Sequence, residues 1–192
     1  MKYGLYPPPA HLREIVRYFW VYESNSRDTM PTEYQGMADC CPELIFQYDG
    51  RFVEYENYGA YLRGPRSASR VLHLGERLGL FGIRLFPHAI NQLLRIPNIE
   101  LVNSSFELTH VLGKRHHDVI QQMMDACSDE ARIKVASDFI FALSQNADND
   151  PIHECVRIML QREGEVDLDE LRSITGLSVK QFERRLDSVN LI

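Results

Sequence analysis

The feature that most limits how this chain can fold is a change of hydrophobic period at Pro87. Before it, apolar residues come in short aromatic and β-branched blocks broken by glycine and proline. After it they recur at the three- and four-residue spacing of a helix face. A strand repeats its facing every second residue and a helix about every 3.6, so neither pattern suits the other element. The N-terminal two-thirds thus reads as strands mixed with helices and the remainder as helices, the order of an α+β protein.

Ile15 to Tyr22 (IVRYFWVY) reads as a strand. Glu43 to Tyr48, then Asp49-Gly50, then Arg51 to Tyr55 reads as a hairpin, with the glycine supplying the positive φ of a tight turn. Tyr58 to Arg63, Arg70 to Leu74 and Leu78 to Leu85 are further strands, which together predict a small mixed sheet or half-barrel. Past Pro87, Ile90, Leu93 and Leu94 keep helical spacing until Pro97.

From Arg115 the spacing is helical throughout. Val119, Met123 and Cys127 lie a turn apart, and Ser128 caps a second helix carrying Ala131, Val135, Phe139 and Leu143. These two helices are expected as an antiparallel pair. Their stripes either pack together within the chain or leave one face for a second copy, and a homodimer is the expected state. Asn146 to Asp150 is a polar break. Asp150-Pro151 then opens a third helix, which runs to Arg162 and closes at Gly164. The domain reading is an α+β sensing domain over 1–114, a helical linker and dimerisation region over 115–163, and a helix-turn-helix over 164–192.

Charge and composition exclude several classes. The 192 residues carry a formal charge of −6, and residues 151–192 hold 6 basic against 8 acidic side chains. Any DNA contact must therefore be local. No apolar run approaches the roughly 20 residues of a membrane span, so no membrane partner is expected. Met1-Lys2 leads into Tyr3-Gly4-Leu5-Tyr6-Pro7 without a secretory signal's apolar stretch, and Cys40 and Cys41 are adjacent. A cytoplasmic protein with reduced thiols is expected.

The segment that carries the functional reading is Val166 to Leu186, VDLDELRSITGLSVKQFERRL. Asp167 with Glu170, and Ser178 with Gln181, have capping-box spacing, and Gly176 lies between them as a helix stop. Leu168, Leu171 and Ile174 line one helix; Val179, Phe182 and Leu186 line the next. The result is two short helices about a tight turn, the helix-turn-helix layout, and the same layout also makes ordinary corners in helical bundles. With the apolar residues inward, Ser178, Lys180, Gln181, Arg184 and Arg185 face out as candidate DNA contacts. Lysine and arginine suit phosphate or guanine, and glutamine suits adenine.

The stretch LRSITGLSVKQFERRL resembles the first helix-turn-helix of the AraC/XylS family of bacterial transcription regulators through Leu171, Gly176, Ser178, Phe182, Arg184 and Leu186. Arg172 stands where that family usually has alanine. YPPPAHLREIVRYFW (6–20), CPELIF (41–46), GPRS (64–67) and FGIRLFPHAINQLL (81–94) resemble a sensing-type domain found ahead of such units. The resemblance implies a transcription regulator with a small-molecule effector. It also implies a second helix-turn-helix after a long linker helix, whereas this sequence ends at Asn190-Leu191-Ile192, as a shortened piece or a naturally short product. Half a DNA-binding domain is expected to bind DNA weakly and with strong salt dependence. The competing class is an interaction or dimerisation module that modulates other regulators without binding DNA.

Other chemistry finds little footing. Adjacent His116 and His117 would point about 100° apart on a helix, and with His110 they form no metal-ligand spacing. Gly75, Gly79 and Gly82 lack the Gly-Lys-Ser/Thr of a phosphate loop. Ser67, Asp49 and His73 lack a nucleophile elbow. No cofactor, metal or enzymatic activity is expected. Trp20, Tyr22, Phe46, Tyr48, Arg84 and Phe86 are candidates for an effector pocket, with Arg84 fixing a polar or anionic group; the same aromatics also suit a plain sheet core.

Overall fold

The computed structural model describes residues 1–25, 33–36, 38–50, 59–73, 77–113, 117–145 and 150–188. The predicted strands Arg51 to Tyr55, and Tyr58, Leu74, Gly75, His116 and Asn190-Leu191-Ile192, lie outside the described residues.

Strands β1 (Lys2–Tyr6), β2 (Val16–Ser24), β4 (Glu43–Gly50), β5 (Ala60–Arg63), β7 (Leu78–Leu85) and β8 (Ser105–Glu107) form a six-stranded sheet ordered β1-β2-β7-β4-β5-β8. β3 (Glu33–Gly36) and β6 (Arg70–His73) pair as a separate ribbon. The α+β class holds, but every pairing is antiparallel, so the sheet is not mixed. Even β8, which follows α1 and α2, pairs antiparallel, with β5.

Asp49-Gly50 is not a tight turn. It continues β4, opposite Gly79 and Leu78 of β7, beyond a bulge between Gln47 and Asp49. Glycine is required there because φ is +70° and a Cβ would lie 1.7 Å from the Arg77 carbonyl oxygen.

Helix α1 (Ala89–Leu94) buries Ala89, Ile90 and Leu93, as its spacing dictates. The short helices α2 (Asn98–Leu101) and α3 (Leu108–Leu112) flank β8. α4 (His117–Asp125) buries Val119 and Met123 but ends before Cys127, which is exposed. α5 (Asp129–Ser144) starts at Ser128, whose Oγ accepts the Ala131 N–H at 3.2 Å.

The buried face of α5 runs through Arg132, Ala136 and Ile140; Val135, Phe139 and Leu143 flank it half-buried, and Ala131 is exposed. Polar residues reach this face because the sheet supplies partners. Lys2 and Tyr6 donate to Asp129, and the Arg132 guanidinium lies 3.6 Å from the centre of the Tyr48 ring.

One core joins α1, α4 and α5 to the sheet face bearing Phe19, Val21, Leu44, Phe46, Phe81, Ile83 and Leu85. Val119 and Met123 of one stripe and Val135, Phe139 and Leu143 of the other pack on this core within the chain. α6 (Pro151–Gln161), α7 (Leu168–Thr175) and α8 (Val179–Ser188) close a second, small core of Ile152, Cys155, Val156, Leu171 and Phe182. The stretch 115–163 thus divides between two cores. Among the described residues no helix is long and apolar enough to cross a membrane.

Candidate functional site

The sheet's opposite face carries a third cluster, Trp20, Ile45, Leu78 and Leu80, with Tyr18 and Tyr22 against it. Period-2 alternation puts Tyr18, Trp20, Tyr22, Glu43, Ile45, Gln47, Gly82 and Arg84 on this one side, and the registers align them in rows. The first row runs from Tyr18 to Arg84 to Glu43 to Arg63 across β2, β7, β4 and β5.

Glu43 is 5% exposed and bridges the two cations. Its Oε1 pairs with Arg84, and its Oε2 accepts from Arg63 Nε at 3.0 Å and from an Arg63 terminal nitrogen at 2.5 Å. Asp39, from the stretch between β3 and β4, takes the other side of Arg84. Burial opposes the Arg84 charge, but Glu43 and Asp39 outweigh it and hold the guanidinium more firmly protonated than usual. Arg84 is therefore held among carboxylate partners of the chain itself.

The next row places the Trp20 indole flat over Gly82, where an added Cβ would lie 1.9 Å from the ring. Trp20 Nε1, Gln47 Oε1 and Arg84 Nε are buried on this face without a hydrogen-bond partner. They are two donors and one acceptor left without a partner inside this face.

The six residues expected as one pocket do not come together. Trp20, Tyr22 and Arg84 share this face, but Phe46 is buried in the opposite core, edge-on to Phe139 at 6.4 Å. Tyr48 also belongs to the opposite side, where its hydroxyl donates to Glu23 at 2.6 Å. Burial, then that bond, holds its hydroxyl well above the ordinary phenol range. Phe86 lies past β7, stacked on His88 with ring centroids 6.1 Å apart. Facing alternates along a strand, so aromatic type alone did not sort these residues. The missed members are Glu43, Asp39, Arg63 and Gln47; an acidic residue at the start of the otherwise apolar β4 was the available signal.

The second candidate surface is α7 and α8. Asp150 caps α6 by accepting the Ile152 N–H at 3.1 Å, and Asp167 caps α7 by accepting the Asp169 N–H at 2.7 Å. The Asp167 capping box does not close, because Glu170 pairs with Arg162 at 2.8 and 3.1 Å, a charge-assisted fork. Gly176 ends α7 at φ 63°, ψ 14°, the left-handed stop the pattern requires.

At α8, the Gln181 side-chain oxygen accepts from the Ser178 N–H at 3.1 Å and from its hydroxyl at 2.8 Å, so the glutamine half of that box is formed. Phe182 is buried and Leu186 packs beside it. Val179, expected inward, is 51% exposed, because Leu177 in the turn fills the place against the core. Leu168 and Ile174 of α7 are also exposed, leaving Leu171 as its buried anchor; a core this small covers a narrow stripe.

All five expected DNA-contact residues, Ser178, Lys180, Gln181, Arg184 and Arg185, are exposed. Three of them are engaged. Ser178 and Gln181 hold each other in the cap, and Arg185 pairs with Asp150 at the start of α6. Among the described residues no group of three or more His, Cys, Asp or Glu is placed to hold a metal ion.

The family described as Domain of unknown function (DUF6597) matches residues 5–107, which spans β1 to β8 and both faces of the sheet. No curated protein and no solved structure matches the chain.

Proposed function

The chain belongs to the DUF6597 family, and from that premise we propose that it is a bacterial DNA-binding transcription regulator of the AraC-like kind, with the family domain sensing a small polar effector. The observation that carries the reading is the α7–α8 unit. Two capped helices turn about Gly176 on a core of their own, with Lys180 and Arg184 projecting from the first turns of the second. Trp20, Gln47 and Arg84 support the sensing half, since they bring buried, unpartnered polar atoms to one face of the matched domain.

Few cations face outward, so binding to DNA is weak and dominated by phosphate. Fluorescence anisotropy of the chain on random-sequence duplex is expected to give a log K against log salt slope of about −2 to −3. Lys180→Ala and Arg184→Ala should each reduce that slope by about 1. A slope that neither substitution changes would remove α8 from the interface. Sequence-specific nanomolar binding at physiological salt would overturn the weak-binding reading.

A second reading has its own support. Leu168, Ile174 and Val179 expose apolar side chains at 62%, 42% and 51%, which suits a protein-interaction module better than a DNA reader. No measurable DNA binding at low salt, together with loss of a partner's binding in Leu168→Ser, would favour it.

A further inference from the structure

Between the sheet body and the C-terminal helices lies a cleft of about 480 Å³, within the size range of small-molecule sites. One wall is the segment after β1 (Glu14, Ile15) with His88 just ahead of α1; the other is the start of α6 (Asp150, Pro151, His153, Glu154, Arg157), with Ile174 of α7. We propose that this cleft binds a small alkylammonium ligand, its N–H donors taken by His88 and the Glu14 carboxylate beside the Glu154–Arg157 pair, and its chain lying on Ile15, Pro151 and Ile174.

Three observations converge on a cationic, donor-rich ligand. His88 is 3% exposed and hydrogen-bonds the Glu14 backbone, while its Nδ1 is buried without a partner. A neutral imidazole that donates through one nitrogen presents a lone pair at the other. Burial, then the neighbouring His153 ring at 6.2 Å between centroids, pushes His88 down to about 4, so the ring is neutral at physiological pH.

The charge of the cleft agrees. Glu14, Asp150 and Glu154 line it with Arg157, His11 and His153; Arg157 offsets Glu154 and Arg185 offsets Asp150 from outside, which leaves Glu14 as the carboxylate without a close arginine. Arg157 takes both oxygens of Glu154, one of them through Nε at 2.7 Å, but reaches Glu14 only at 3.7 Å, and Glu14 is 59% exposed, so Glu14 is the carboxylate that keeps accepting capacity. An anionic ligand would meet three carboxylates. The apolar lining of Ile15, Pro151 and Ile174 suits the methylenes of an amine rather than a bare inorganic cation. A ligand held this way touches both cores at once and ties α6–α8 to the sheet body.

The inference rests on the cleft and not on the DNA reading of α8, so its test reads ligand binding directly. Butylamine, with butyrate as the charge-opposite control, is titrated at constant ionic strength into the full chain labelled with ¹⁵N-histidine. Saturable binding of butylamine that shifts the His88 Nδ1 resonance, with no response to butyrate, is the expected result. The Glu14→Gln/Glu154→Gln pair alters partly exposed side chains and should weaken binding by at least about tenfold, about 1.4 kcal/mol. His88→Gln should weaken butylamine binding, followed through the remaining histidine resonances. No saturable binding, equal binding of butyrate, or unchanged affinity in the double variant would overturn the proposal, and the double variant decides the matter even if His88→Gln fails to fold.

Discussion

The sheet body and the α6–α8 unit solve the same problem by different means. The body buries a continuous core of large side chains, Phe19, Phe46 and Phe81 among them, and can house charged residues beneath it. Asp129, Arg132, Glu43 and Arg84 are all largely or wholly enclosed and paired. The α6–α8 unit has a core of Ile152, Cys155, Val156, Leu171 and Phe182 and leaves Leu168, Ile174 and Val179 in solvent. Its order rests on caps at Asp150, Asp167 and Ser178 and on one large anchor, Phe182. A large core tolerates buried charge because each charge finds partners across strands; a small one depends on local hydrogen bonds and a few apolar contacts.

Removing that anchor is the harshest way to test the contrast. Phe182→Ala should destabilise the α6–α8 unit by about 3–5 kcal/mol. Hydrogen exchange should then show α6–α8 opening while the sheet stays protected; equal loss in both would mean a single cooperative unit. In the body, the equivalent stress is electrostatic. Glu43→Ala leaves Arg84 and Arg63 buried without their shared acceptor and should cost about 3–5 kcal/mol by chemical denaturation, whereas loss of an exposed pair costs about 1 kcal/mol or less.

The junction responds to pH. His88 is pushed down to about 4 in the fold, from an ordinary value of 6.5, by burial and then by His153. Between those two pH values the unfolded chain binds a proton that the folded chain refuses. Stability therefore falls as pH drops from 6.5 towards 4 and is unaffected by His88 above that window. The loss is about 3 kcal/mol. His153, Glu14, Asp150, Glu154 and Arg157 share the cleft with His88 and will shape the curve, so the check is the difference between wild type and His88→Gln across it.

The smallest test compares caps. Ser128→Ala in the body and Asp150→Ala in the C-terminal unit should each cost about 1 kcal/mol. Asp150→Ala also frees Arg185 from its ion pair. A steeper salt slope for DNA binding in Asp150→Ala than in wild type would indicate that this pair restrains a DNA contact; an unchanged slope would place Arg185 outside the interface.

Local signals in this sequence were reliable where local physics decides. The caps at Ser128, Asp150 and Asp167 and the glycine stop at Gly176 depend on residues within a turn of one another, and each appears where it was read, whereas the change from strands to helices at Pro87 is interrupted by β8, which follows α1 and α2. The strand blocks of β2, β4, β5 and β7 were equally legible, because alternation is a property of the strand itself. What tertiary structure decided was which partner each face meets. Asp49-Gly50 became strand because β7 lies beside it, and α5 turned Arg132 inward because Tyr48 waits there. Lys2 reaches Asp129 across 127 positions and Asp39 reaches Arg84 across 45. The aromatic residues expected in one pocket went to opposite sides of the sheet for the same reason. A side chain's chemistry is written at its own position, but the cost of burying it is set by groups that only the folded chain brings within hydrogen-bonding distance.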